Sequence, residues 1–205
     1  MMRAWVAKGS GSPSNVLSLR TNMPTPKHPT GSDVLIRVHT AALNPADMHV
    51  LRTFPSTIPF CRHSPIPGVD FAGTIVRSGD SAPHDFTEGV EVCGILTVSQ
   101  GFAGQGTLAE YVKLPAGLLA LKPKEMSWEE AAGCGVVGQT VNTVLKAAGG
   151  LIGEGKMVLI NGASGGVGTV LVQRVKAEGA VVVGVCSKGN FGLVTGLGAD
   201  EVGTL

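Results

Sequence analysis

The stretch Asn161-Gly162-Ala163-Ser164-Gly165-Gly166-Val167-Gly168 constrains this chain more than any other. It follows a largely apolar run, Met157-Val158-Leu159-Ile160-Asn161, as expected of a strand covered on both faces. A helix is predicted over Val167–Glu178, and a second apolar run follows at Val181–Cys186. Asn190–Leu197 reads as helical, and Glu201–Leu205 as the start of a third strand. Strand, glycine turn, helix and strand in succession predict a parallel sheet with right-handed crossovers.

The turn compares closely with the dinucleotide fingerprint G-x-G-x-x-G, with Ala163 at the first position, Gly165 at the second and Gly168 at the third. Gly162 can still make the turn. Gly165 lets backbone approach a pyrophosphate, and Gly168 lets the helix lie close to the strand. N–H groups opening the helix would face the anion, so Ser164, Gly165, Gly166 and Val167 are the candidate pyrophosphate contacts. An ordinary tight strand–helix turn is the competing reading. The second strand ends Val185-Cys186-Ser187-Lys188-Gly189-Asn190. It lacks the acid that would hold a ribose 2′-hydroxyl, whereas Ser187, Lys188 and Asn190 suit a 2′-phosphate. A solvated loop with an incidental lysine is the alternative there. NADP(H) is the expected cofactor.

Composition marks a boundary upstream. All 12 prolines lie at or before Pro123, while most of the 30 glycines lie beyond it. Two domains are expected, residues 1–123 and 124–205, joined at Leu121-Lys122-Pro123-Lys124. The first reads as β-rich. Val34–His39, Gly73–Val76, Val90–Leu96 and Ala109–Leu114 are strand candidates between Gly, Ser, Asp and Pro signals, which predicts a small barrel or sandwich. Ser127-Trp128-Glu129-Glu130 matches a capping box and predicts a helix running to Ala147-Ala148, where Gly149-Gly150 stops it. The fold class is α/β plus β.

The charge balance excludes several functions. Lys and Arg total 16 against 15 Asp and Glu, a formal net charge of +1, so no nucleic acid and no anionic membrane surface is expected as partner. No apolar run approaches the ~18 residues of a membrane span, and Met1–Gly9 lacks the apolar core of a signal peptide. Cys61, Cys93, Cys134 and Cys186 are scattered and read as small buried hydrophobes in a reducing, cytoplasmic compartment.

Gly155–Gly168, continuing through Gln173 to Lys176, resembles the signature of quinone oxidoreductases and zeta-crystallins, a branch of the medium-chain dehydrogenase/reductase superfamily. Leu197-Gly198-Ala199-Asp200-Glu201-Val202 is similar to the stretch that follows in that family. Leu43-Asn44-Pro45-Ala46-Asp47, Ile66–Gly73 and Gly106–Val112 resemble its chaperonin-10-like substrate domain. The resemblance implies that a partial Rossmann domain follows that β-rich domain, with cofactor and substrate meeting between them. It also implies hydride transfer from NADPH to a small-molecule conjugated carbonyl, such as a quinone or enone.

Zinc is not expected. The Cys, His and Cys ligand positions of the superfamily's zinc alcohol dehydrogenases match Asn44, Val69 and Val136, none of which is a suitable zinc ligand. Between Asp85 and Thr107, where the structural zinc lobe would lie, Cys93 is the only cysteine.

By the same resemblance Asn44 is the first candidate for a catalytic contact near the nicotinamide, although a turn before proline also favours Asn. Thr140 resembles a family position near the nicotinamide, with back-bonding inside its helix as the competing role. Asp47 is expected to brace its loop. Many quinone reductases have Tyr where this chain has His49, and the proton-donating Tyr of enoyl reductases is matched by Phe54 in Phe54-Pro55-Ser56. Phenylalanine has no proton to give. His49 is therefore the candidate donor, against the alternative of a surface or packed histidine. Family members usually run well past 300 residues, so the resemblance implies an incomplete nicotinamide side and no dimer-forming strand. The alternative function is a non-catalytic nucleotide-binding or interaction remnant. The oligomeric state is left open.

Overall fold

The computed structural model describes residues 1–53 and 66–204. Phe54-Pro55-Ser56 and Cys61 lie outside the described residues, as does Leu205. The chain divides into two compact units, Met1–Val136 and Val137–Leu205.

The first unit opens with β1 (Met2–Ala7), a short helix α1 (Pro13–Val16) and β2 (Leu17–Met23), with β1 and β2 antiparallel. Then come β3 (Asp33–Ala42), α2 (Pro45–Thr53), β4 (Asp70–Ser78), β5 (Glu91–Ile95), α3 (Val98–Phe102), β6 (Tyr111–Pro115) and β7 (Leu119–Leu121). These strands form one antiparallel sheet in the order β6-β3-β4-β5-β7. Alternate residues along the strands meet in one core: Val34 and Ile36 from β3, Phe71 and Ile75 from β4, Val92 from β5, Val112 and Leu114 from β6. Each such side chain contributes about 1.5–3 kcal/mol on burial, so this cluster is what fixes the strand register.

Helix α4 (Trp128–Gly133) starts where the capping box predicts. Ser127 Oγ accepts the Glu130 N–H at 3.1 Å, and Glu130 Oε2 accepts the Ser127 N–H at 2.8 Å. Ala131 and Ala132 of this helix pack with Ala72 of β4, and Trp128 stacks on His39 of β3 at 4.2 Å. The two units accordingly divide after α4, whereas composition places the joint before it, at Pro123. The helix predicted to run unbroken to Ala148 is two helices, α4 and α5 (Gly135–Ala148), with Cys134 between them. Glycines on either side of Cys134 are weak helix formers and let the chain turn there.

In the second unit β8 (Met157–Asn161), α6 (Gly166–Ala177), β9 (Val181–Val185), a 3-10 turn (Lys188–Asn190), α7 (Phe191–Gly196) and β10 (Glu201–Gly203) follow in order. The sheet is parallel, β10-β9-β8. Ile160, Val172, Val175, Val182 and Val194 are buried together between sheet and helices. β8 is the sheet edge, and it departs from the expectation of a strand covered on both faces. Ile160 is buried and Val158 packs beside it, but Met157 and Leu159 on the opposite face are 71% and 67% exposed. The strand is apolar on both faces, yet helices cover only one.

Candidate functional site

The glycine turn has the geometry its residues demand. Gly162 takes a φ of +74°, a left-handed conformation that side chains rarely adopt. Ala163 is fully buried and its N–H reaches the Val185 carbonyl on β9 at 2.9 Å. A methyl group on Gly184 of β9 would come within 3.2 Å of the Ala163 Cβ, so this Ala occupies space that Gly184 leaves empty. That accounts for Ala at the first fingerprint position. At the third, a methyl on Gly168 would collide with the Gly162 carbonyl and lie 2.8 Å from the Ala163 Cα. Only glycine lets α6 sit this close to the turn.

Gly165 is the N-cap of α6, and Gly165 and Gly166 are exposed while Val167 is half-buried. The first turn of α6 carries no acidic residue. Its leading N–H groups have no acceptors within the helix, and its dipole favours an anion there. Across from this turn, Asn190 Nδ2 donates to Ser164 Oγ at 3.1 Å, which ties the loop after β8 to the loop after β9. Ser187, Lys188 and Asn190 are all exposed, and no acid stands among them. The cradle fits a dinucleotide phosphate: the N–H groups that open α6, no side chain on Gly165 or Gly166, and Lys188 two residues before the Asn190 that bonds Ser164.

A second constellation lies in the first unit. Asn44 directly precedes α2, and Asp47 in that helix's first turn accepts the Asn44 backbone N–H at 2.7 Å. Asp47 is 6% exposed. Asp47 thus braces the loop. Asn44 Nδ2 donates to Asp70 Oδ2 at 2.9 Å, and Asp70 Oδ1 accepts the Val136 N–H at 2.9 Å. Burial pushes both carboxyls above their usual range, and the hydrogen bonds they accept only partly oppose this.

The positions matched to zinc ligands, Asn44, Val69 and Val136, are therefore gathered around the Asp70 carboxylate. Among the described residues no three His, Cys, Asp or Glu side chains are grouped to hold a metal ion. His49 lies exposed on α2 and Thr140 half-buried on α5. Cys186 is buried as expected, but Cys93 is half-buried and Cys134 exposed at the end of α4. Asp70 was not singled out from sequence, although an acid at the head of the buried run Phe71-Ala72 is the signal that points to it.

Residues 30–124 match the family model of the alcohol dehydrogenase GroES-like domain. The mitochondrial NAD(P)H oxidoreductase RTN4IP1 of Mus musculus is 34% identical over 98% of this chain and 53% of its own length. The 2-methylene-furan-3-one reductase of Solanum lycopersicum is 36% identical over 97% of this chain and 51% of its own. The structure of the quinone oxidoreductase from Coxiella burnetii superposes with a TM-score of 0.83 at 29% identity, covering 98% of this chain and 61% of that one. The chain thus spans little more than half the length of these relatives.

A GroES-like sheet followed by a parallel Rossmann-type β-α-β unit is the architecture of medium-chain dehydrogenases and reductases. The chain belongs to the quinone oxidoreductase-like branch of that superfamily, and its second unit has the NAD(P)-binding fold.

Proposed function

We propose that this chain carries the substrate-side unit and the adenosine and pyrophosphate side of an NADPH-dependent, zinc-independent oxidoreductase. The reaction is hydride transfer to a conjugated carbonyl such as a quinone or enone. On this reading the substrate domain is residues 1–123 and the NADP-binding domain 124–205. The observation that carries the proposal is the cradle at the start of α6, flanked by Ser187, Lys188 and Asn190 with no acid among them. The names of the relatives, an NAD(P)H oxidoreductase, a quinone oxidoreductase and a furanone reductase, support the same chemistry.

Each residue then has a defined task. Backbone N–H groups of Gly166 and Val167, with the Ser164 hydroxyl beside them, hold the pyrophosphate, and Gly165, whose own N–H is bonded to the Gly162 carbonyl, lets the backbone approach it. Ser187, Lys188 and Asn190 bind the 2′-phosphate by charge-assisted hydrogen bonds. Asn44 and Thr140 contact the nicotinamide end, and His49 supplies the proton. The bound cofactor supplies the hydride, while the protein positions the partners and excludes water. Asn44, Val69 and Val136 stand where zinc ligands would be needed, which supports chemistry without zinc.

No helix among the described residues is long and apolar enough to cross a membrane. A cytoplasmic location is part of the proposal; the RTN4IP1 relative carries a mitochondrial name.

The alternative reading is nucleotide binding without turnover. Measuring NADPH binding together with quinone- and enone-dependent NADPH oxidation on the purified 205-residue chain separates the two. Turnover supports the first and binding alone the second. Absence of binding removes both.

A further inference from the structure

An asparagine just ahead of a helix normally turns its side-chain oxygen back to accept the helix's first N–H groups. Asn44 does otherwise, because its Nδ2 donates to Asp70 Oδ2 at 2.9 Å. A carboxylate can only accept, so the amide nitrogen must face it. The other Asp70 oxygen takes the Val136 N–H at 2.9 Å, so both oxygens face N–H donors and the ionised acid is the form they satisfy. The fold makes room for this carboxylate. A methyl on Gly135 would lie 2.7 Å from Asp70 Cγ, so the first residue of α5 has no side chain to spare. Asp70 itself is 1% exposed. Asn44 Oδ1 is not among the orphaned buried atoms, which among the described residues are Ser18 Oγ and Thr107 Oγ1.

We infer that Asp70 is a positioning residue that fixes the direction of the Asn44 carboxamide, with nitrogen held inward by the Asp70 carboxylate and oxygen presented outward. The Asn44 subsite is then an acceptor. It recognises a ligand N–H and does not stabilise a developing oxyanion. The amide's direction stands on the hydrogen bonds alone; that the ligand group is the nicotinamide carboxamide rests on the proposed function.

Asp70→Asn tests this sharply. The Val136 N–H cannot turn, so the new amide must give it the oxygen and point its own NH2 at Asn44. Asn44 must then flip and present nitrogen outward. The probes are NADPH and its 3-acetylpyridine analogue, which has a methyl ketone in place of the carboxamide and therefore no N–H. The wild-type chain should bind NADPH about fivefold to tenfold tighter than the analogue, and Asp70→Asn should abolish that preference. An unchanged preference in a folded Asp70→Asn variant overturns the inference.

A second arm needs no ligand and no folded variant. In 15N-labelled wild-type chain the Asn44 side-chain NH2 protons should exchange at least tenfold more slowly than those of an exposed Asn such as Asn15. Exchange as fast as Asn15 overturns the inference. If neither cofactor binds, the functional proposal fails while the NH2 measurement still decides the amide's direction.

Discussion

Gly165 and Gly168 lie three residues apart in one turn, and the structure separates their roles. An added methyl on Gly168 meets only backbone: the Gly162 carbonyl in collision, Ala163 Cα at 2.8 Å and Ala163 C at 2.9 Å. No flexible side chain can yield, so Gly168→Ala must push α6 away from the turn. Such overpacking costs about 1–3 kcal/mol, which lowers Tm by roughly 4–8 °C per kcal/mol in a unit of this size. The methyl of Gly165→Ala meets a single atom, the Gly162 carbonyl oxygen, at 3.2 Å. Gly165 has φ −80° and ψ 171°, which alanine adopts freely, and its stability should stay within about 1 kcal/mol of wild type. The same methyl, however, projects where a pyrophosphate would approach. Its NADPH affinity should fall by about tenfold or more, equivalent to ~1.4 kcal/mol.

Thermal melts followed by circular dichroism, with fluorescence titration of NADPH, read both quantities. The expected pattern is a destabilised Gly168→Ala and a folded Gly165→Ala that binds poorly. A Gly165→Ala variant that binds NADPH as wild type does would refute the placement of the pyrophosphate. A Gly168→Ala variant as stable as wild type would refute the steric argument.

Three further outcomes follow from particular contacts. Ser127→Ala removes the oxygen that accepts the Glu130 N–H and should cost about 1 kcal/mol, read by urea denaturation. Burial raises the Asp47 carboxyl above its unfolded value, so the folded state binds its proton more tightly. Stability from that group is present below the ordinary carboxylate pKa, about 4, and is lost as pH rises through the raised value. Urea midpoints for wild type and Asp47→Asn from about pH 4 to 7 should therefore show the variant's deficit shrinking as pH rises; a growing deficit would reverse the sign. His49→Gln should slow quinone or enone reduction in a turnover-competent protein while leaving the NADPH Kd unchanged, since it retains a polar side chain but loses the proton donor.

Local chemistry explains how much could be read without a structure. The β8-α6-β9 succession was legible because apolar runs, a glycine turn and a helical period are all near-neighbour signals, as was the capping box at Ser127. β1 and β2 were missed: β2 runs Leu-Ser-Leu-Arg-Thr-Asn-Met, is mostly exposed, and is defined by pairing with β1 rather than by its own pattern. The break at Cys134 was missed although its signal, the glycines on either side of Cys134, is local. In the candidate site, the backbone cradle was visible as glycines. The network at Asn44 was not, since Asp70 lies 26 residues from one partner and 66 from the other, and only the sheet and α5 bring them together.

The central claim is that the second unit binds a 2′-phosphorylated dinucleotide, and one measurement addresses it without requiring a nicotinamide site. Calorimetric titration of the chain with 2′-phospho-ADP-ribose and with ADP-ribose compares ligands that differ by one phosphate. The account predicts about tenfold tighter binding of the phosphorylated ligand, and loss of that difference in Lys188→Ala. Equal affinity for the two, or a preference that survives Lys188→Ala, would contradict it.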